Sequence, residues 1–206
     1  GYVVENAWLG NALVQALYRQ GRVEVMSPAK VLKAAPGASL VSLEIEGGSE
    51  SQVTADLLLI ADGAQSKLRD QMGVGVQEKS YRQHALVANV ASSRDHKGCA
   101  FERFTETGPL ALLPLLPSAG AAHRSALVWT LPPERAEALT QSPEEEVLAA
   151  LQQEFGYRLG RFTQVGSRHS YPLSLVQSAE QVRKGIVVMG NAAHALHPVA
   201  GQGFNL

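Results

Sequence analysis

The sequence predicts a mixed α/β and α+β protein in which an antiparallel sheet domain is inserted between two pieces of an α/β domain. Three observations carry this. An apolar run, Leu57 to Ile60, reads as a buried strand and ends at Asp62-Gly63. A second run, Ile186 to Met189, does the same far downstream and ends at Gly190-Asn191. Between them, from about Val76, short strand-like segments follow one another. A chain that returns to its opening texture suggests one domain inside another. The expected division is 1–75 and 181–206 for the outer domain and 76–180 for the inserted one.

Taken in order, Tyr2 to Val4 is extended and leads into a helix, because Leu9, Leu13 and Leu17 recur every four residues beside Ala12 and Ala16. Gly21 stops it. Strands are expected at Val23 to Met26, Val31 to Ala34 and Leu40 to Ile45, the last with Val41, Leu43 and Ile45 alternating with polar residues. Gly47-Gly48 turns the chain into a further strand. Ala55 to Ala61 holds the first apolar run, expected to be buried on both faces.

His84 to Val90, Cys99 to Phe104, Leu110 to Leu115 and Ser125 to Thr130 are expected to share one antiparallel sheet, with helices on one side. A helix then starts with Ser142 as N-cap, Pro143 at its first position, and Ser142 and Glu145 spaced as a capping box. Val147, Leu148, Leu151 and Phe155 form its apolar face, and Gly156 ends it. Phe162 to Tyr171 reads as one more strand before Gly185 to Gly190.

Composition narrows the function. The 206 residues are 45% hydrophobic and 18% charged, as in ordinary globular domains and unlike disordered chains. Eighteen basic against 19 acidic side chains give a formal net charge of -1 with no basic cluster, so no nucleic-acid partner is expected. Cys99, the single cysteine, can form neither an internal disulfide nor a thiolate zinc site, and is expected to be a small buried residue. No signal peptide is visible, and the longest apolar run, the seven residues Leu110 to Leu116, is far too short to span a bilayer. A cytoplasmic location, or a peripheral one at the inner face of the membrane, is expected.

Two segments carry chemistry. In Asp56 to Arg69, a strand delivers Asp62 to its carboxyl end, where open α/β sheets bind ligands, and Gly63 permits close backbone approach. Ser66 follows as a helix cap, with Arg69 one turn on; an acidic turn before a capped helix is the plain structural alternative. In Val188 to Leu206, the small residues Gly190, Ala192, Ala193 and Ala195 let a flat ligand lie against backbone, and Gly201 and Gly203 precede a helix start able to face an anion. His194 and His197, three apart without a carboxylate or cysteine, read as loop and pocket-wall residues, with no metal expected. No Gly-x-Ser-x-Gly elbow supports a nucleophilic hydrolase. Leu110 to Leu116, Phe101, Phe104 and Trp129 are either a packed sheet core or the lining of an apolar tunnel.

These two segments resemble the Asp-Gly and Gly-Asp fingerprints of class A flavoprotein aromatic hydroxylases, whose fold is that of p-hydroxybenzoate hydroxylase. Asn89-Val90-Ala91, Ala100 to Thr105 with Gly108 to Ala111, Leu127-Val128-Trp129 and Phe155 to Gly160 make the chain similar to the ubiquinone-biosynthesis hydroxylases, and among them to those acting on octaprenyl methoxyphenols. The resemblance covers nearly the whole chain. It implies a p-hydroxybenzoate-hydroxylase-like FAD-binding fold with an inserted antiparallel-sheet substrate domain. Asp62, Gly63, Ser66 and Arg69 would then lie near the FAD pyrophosphate and the path of NAD(P)H. Gly190 and Asn191 would meet the ribitol and pyrophosphate, Pro198 the isoalloxazine, and Gly201, Gly203 and Asn205 the flavin's pyrimidine edge. Asn6 stands where the family usually carries Arg or Gln near the cofactor, and Asn191 where it usually has Asp; an amide can still hydrogen-bond but brings no charge.

The family's Gly-x-Gly-x-x-Gly βα turn is absent, so the chain reads as an internal piece of a longer protein, expected to bind FAD weakly or not at all by itself. The activity implied is hydroxylation of a polyprenylated phenol with O2 and NAD(P)H, within a ubiquinone-biosynthesis protein assembly. No side chain is identified as catalytic; His84, His194 or an ordered water stand as alternatives for taking the phenol's proton. Two other functions stay open. One is a cofactor-free module that binds substrate or partners, and the other is a flavin oxidoreductase of the same fold, an epoxidase or a prenyl reductase.

Overall fold

The computed structural model describes residues 2–197, and the chain divides by its contacts into two compact units. One comprises Gly1–Arg19 and Arg82–Leu173, the other Gln20–Tyr81 and Ser174–Leu206. Strands β5 (Val76–Ser92) and β10 (His169–Ser178) each continue from one unit into the other.

The first unit is built on an antiparallel sheet. Strand β5 pairs with β8 (Arg124–Leu131), β8 with β7 (Gly108–Leu115), and β7 with β6 (Phe101–Thr105), while β9 (Phe162–Val165) pairs with the end of β5. Alternation sorts the side chains by face. Leu86, Val90, Leu110, Leu112, Leu127 and Trp129 point to one side and are buried against helices α3 (Pro133–Gln141) and α4 (Glu144–Phe155). Ala136, Leu139, Val147, Leu151 and Phe155 supply the helical half of that core. Leu110, Leu112 and Trp129 are therefore packed core and not tunnel wall, whereas Phe104 and Leu116 are exposed. The helix α1 (Asn6–Gln20) forms as its spacing predicts, yet it buries no residue.

The second unit holds two small sheets. Strands β1 (Lys30–Pro36), β2 (Val41–Glu46) and β3 (Gln52–Ala55) form an antiparallel meander. Strand β4 (Leu58–Ile60) lies parallel to β12 (Ile186–Val188), which turns back from β11 (Val182–Arg183). Helix α2 (Lys67–Gln71) follows β4. Ile60, Leu58, Ile186, Val188 and Val41 form this unit's core with Leu68, Val74, Ala192 and Ala193.

Several expectations are corrected. Val23 to Met26 is irregular, since no described strand pairs with it. The Ser142 capping box does not form. Ser142 instead closes α3, a helix missed in the sequence, by donating its backbone N–H to Ala138, and Pro143 is the cap residue of α4 without a side-chain bond. Phe162 to Tyr171 is two strands, because the ladder is interrupted over residues 166–168 between Val165 and His169. β4 is buried on one face only: Leu58 and Ile60 lie in the core, whereas Leu59, and Leu57 just before the strand, are 54% and 51% exposed. Cys99 is exposed, because β6 begins only at Phe101 and leaves Cys99 in the preceding loop.

Candidate functional site

The two glycine-bearing turns meet through strand pairing. The parallel register Leu58 to Ile186, Leu59 to Val187 and Ile60 to Val188 aligns the carboxyl ends of β4 and β12. Met189 extends the ladder by donating its N–H to the Ile60 carbonyl at 2.9 Å. Asp62-Gly63 and Gly190-Asn191 therefore leave the sheet side by side, at the strand ends where α/β sheets take their ligands. Gly63 and Gly190 have φ of 95° and 57°, in the left-handed region that glycine tolerates. A Cβ built on either meets no atom within 4 Å, so both turns present open backbone. The Asp62 and Asn191 side chains are exposed and bond to no described residue.

Beneath these turns lies a brace. Ser66 caps α2, its Oγ accepting the Arg69 N–H at 3.0 Å, and both residues are buried. Arg69 Nη1 donates to the carbonyl of Ala64, in the first turn, at 3.1 Å and to that of Ala192, in the second, at 3.0 Å. Its Nε and Nη2 donate to Asp70 Oδ1 at 3.2 and 3.0 Å. Ser178 Oγ also donates to the Ala192 carbonyl, at 3.1 Å. A buried guanidinium is tolerable only when its donors are satisfied. Here its partners include one carbonyl from each turn, so Arg69 and Ser66 position backbone within the protein while Asp62 and Asn191 face outward.

The remaining predicted residues are spread out. Asn6 opens α1 in the sheet unit and is exposed. Pro198, Gly201, Gly203 and Asn205 lie outside the described residues. His194 pairs with Gln177 between β13 (His194–Ala195) and β10, and the His197 ring meets Tyr81 edge-on at 4.9 Å. Burial holds the His197 pKa below its ordinary value. His84 Nδ1 is 2.9 Å from Ser170 Oγ, both within the sheet unit.

A polar cluster in the sheet unit escaped sequence reasoning. Glu5, just before α1, accepts from Arg124 Nη2 on Oε1 at 2.8 Å and from Nη1 on Oε2 at 3.5 Å. Asn89 Nδ2 also donates to Glu5 Oε1, at 3.3 Å. Glu5 and Arg124 are 119 positions apart, so no local spacing links them, and only the isolated acid after the apolar Tyr2 to Val4 marks the spot.

Comparison with known proteins matches the model of one family, described as an FAD binding domain, to residues 5–206. The chain is 37% identical over 205 residues to the ubiquinone hydroxylase UbiL of Rhodospirillum rubrum, covering 100% of this chain and 46% of that protein. It is 34% identical to the 3-demethoxyubiquinol 3-hydroxylase of Escherichia coli, covering 100% of this chain and 51% of that protein. The chain thus spans about half the length of these curated relatives. Among solved structures, the p-nitrophenol 4-monooxygenase PnpA of Pseudomonas putida superposes with a TM-score of 0.70 at 21% identity, over 94% of this chain and 48% of that one. A flavoprotein/dehydrogenase from Cytophaga hutchinsonii gives 0.76 at 17% identity, over 98% and 50%. At such identities these structures establish the fold, which is that of the FAD-dependent hydroxylases.

Proposed function

The chain belongs to the FAD binding domain family, and from that premise we propose that it is part of a flavoprotein monooxygenase that hydroxylates the aromatic ring of a polyprenylated phenol in ubiquinone biosynthesis. The observation that carries the reading is the parallel register of β4 and β12, which sets the Asp62 and Gly190 turns together. The residues fit the cofactor: two open glycine turns admit a phosphate-bearing ligand close to backbone, and Asp62 and Asn191 offer a carboxylate and an amide to its hydroxyls. The names of the ubiquinone hydroxylase relatives support the reaction class. Bound FAD supplies the oxygen chemistry, with O2 as oxygen source and NAD(P)H as reductant.

In this reading Asp62, Gly63, Gly190 and Asn191 hold the cofactor, Ser66 and Arg69 keep their turns in place, and Asn6, Pro198, Gly201, Gly203 and Asn205 complete its surroundings. Segments 1–75 and 181–206 serve the cofactor and 76–180 the substrate. The compact sheet unit supports that division, although α1 clusters with the sheet. Among the described residues no helix is long and apolar enough to cross a membrane. The test is turnover by the full-length protein of a prenylated methoxyphenol under heavy-isotope dioxygen, with NADH and NADPH in separate reactions. A product carrying one labelled oxygen is expected. FAD-replete protein that leaves every prenylated phenol unchanged would overturn the assignment.

A further inference from the structure

The sheet unit carries a cavity of about 470 Å³ whose lining includes Asn89, Ser118, Arg124, Gln164, Gly166 and, from the start of α4, Glu144. That is within the range of sites for small organic ligands. All these residues, and Glu5, lie in the sheet unit.

The hydrogen bonds leave a defined pattern. A carboxylate only accepts, so the bond to Glu5 fixes the Asn89 amide with Nδ2 toward Glu5, and its Oδ1 bonds to no described residue. Arg124 spends Nη1 on Glu5 and on the Leu116 carbonyl at 3.1 Å, and Nη2 on Glu5; its Nε–H has no described partner. The cavity wall thus offers an acceptor, Asn89 Oδ1, and a donor, the Arg124 Nε–H, beside the Ser118 hydroxyl and the Gln164 amide. This pattern suits a group that both donates and accepts, as a phenolic hydroxyl does.

Charge narrows the choice further. The Arg124 guanidinium, whose side chain is only 14% exposed, is already paired with Glu5. Glu144, whose Oε1 accepts the Val165 N–H at 2.8 Å, adds a second carboxylate at the same cavity. Two carboxylates against one guanidinium give surroundings that oppose an incoming anion.

We infer that the cavity bounded by Asn89 and Arg124, with its charge set by Glu5, is a binding site for uncharged phenols that excludes ring carboxylates. The inference rests on the hydroxylase reading for the kind of ring, and on the sheet unit's own geometry for the site and its charge rule.

The test is ligand-observed NMR titration of the 206-residue chain with 2-methoxyphenol and with 4-hydroxybenzoate, at a pH where the carboxylate is ionised. The methoxyphenol is expected to bind more tightly. Asn89→Ala, at an exposed position, removes the acceptor and should weaken methoxyphenol binding about fivefold, the worth of one hydrogen bond. Glu5→Gln leaves a net positive Arg124 and should narrow or reverse the preference against the benzoate. Circular dichroism confirms that each variant keeps its fold, and Gln164→Ala serves as a second probe of the wall if Glu5→Gln loses structure. Equal binding of the two ligands, or unchanged affinities in Asn89→Ala, would overturn the inference. FAD titration of the full-length protein separates the two readings: unchanged methoxyphenol affinity in Asn89→Ala alongside normal FAD binding counts against this site alone, whereas a full-length protein that takes up no FAD counts against the hydroxylase reading.

Discussion

Asp62 and Arg69, seven positions apart, are held to opposite duties by burial. The Asp62 side chain is exposed and bonds to no described residue, so Asp62→Ala should shift folding stability by no more than about 0.5 kcal/mol. In the full-length protein it should nevertheless weaken FAD binding, read by flavin fluorescence; a large loss of stability with normal FAD binding would make Asp62 structural. Arg69→Met should do the reverse. It leaves the Ala64 carbonyl without its donor, while Ala192 keeps Ser178 Oγ, and the expected cost is roughly 2 kcal/mol in urea unfolding. His197 adds a pH dependence. Burial lowers its folded-state pKa, so the unfolded chain takes up the proton more readily. Its contribution is therefore intact above the unfolded value near 6.5 and is lost as pH falls below it. Melting temperatures at pH 7.5 and about pH 5.5 should differ less in His197→Asn than in the parent.

At the scale of elements, the clearest contrast is between α4 and its predicted start. Leu151 is fully buried between α4 and the sheet, so Leu151→Ala should cost about 2 to 5 kcal/mol. Ser142→Ala should cost under about 0.5 kcal/mol by the same denaturant measurement, because Ser142 closes α3 through its backbone and caps nothing with its hydroxyl. The α4 face was legible because Val147, Leu151 and Phe155 keep helical spacing, and the sheet because β7, β8 and the second half of β5 are apolar segments. Helix α3 was not, since Pro132-Pro133 reads as a loop and only Ala136 and Leu139 reach the core. Val23 to Met26 has strand composition but no partner, and a single sequence does not display pairing. The same reason hid the Glu5, Asn89 and Arg124 cluster, which exists only once the sheet has formed. The Asp62 and Gly190 turns were readable because each follows its own apolar strand, whereas the brace under them joins residues 123 positions apart.

Across the whole molecule, the proposed reading gives FAD only part of a cradle, the two turns and their brace. No Gly-x-Gly-x-x-Gly turn occurs in these 206 residues, which match about half the length of their relatives. A glycine-rich turn of that kind gives a pyrophosphate several backbone N–H donors at a helix start. Each charge-assisted bond is worth roughly 1.5 to 3 kcal/mol, and a micromolar site amounts to about 8 kcal/mol. Without two or three such bonds the dissociation constant moves towards millimolar. Calorimetric titration of the 206-residue chain with FAD should therefore give a dissociation constant weaker than about ten micromolar. The same titration of the full-length protein should give a much tighter one. Tight binding by the 206 residues alone would instead show that the Asp62 and Gly190 turns, held in register by β4 and β12 and braced by Arg69, suffice to hold the cofactor.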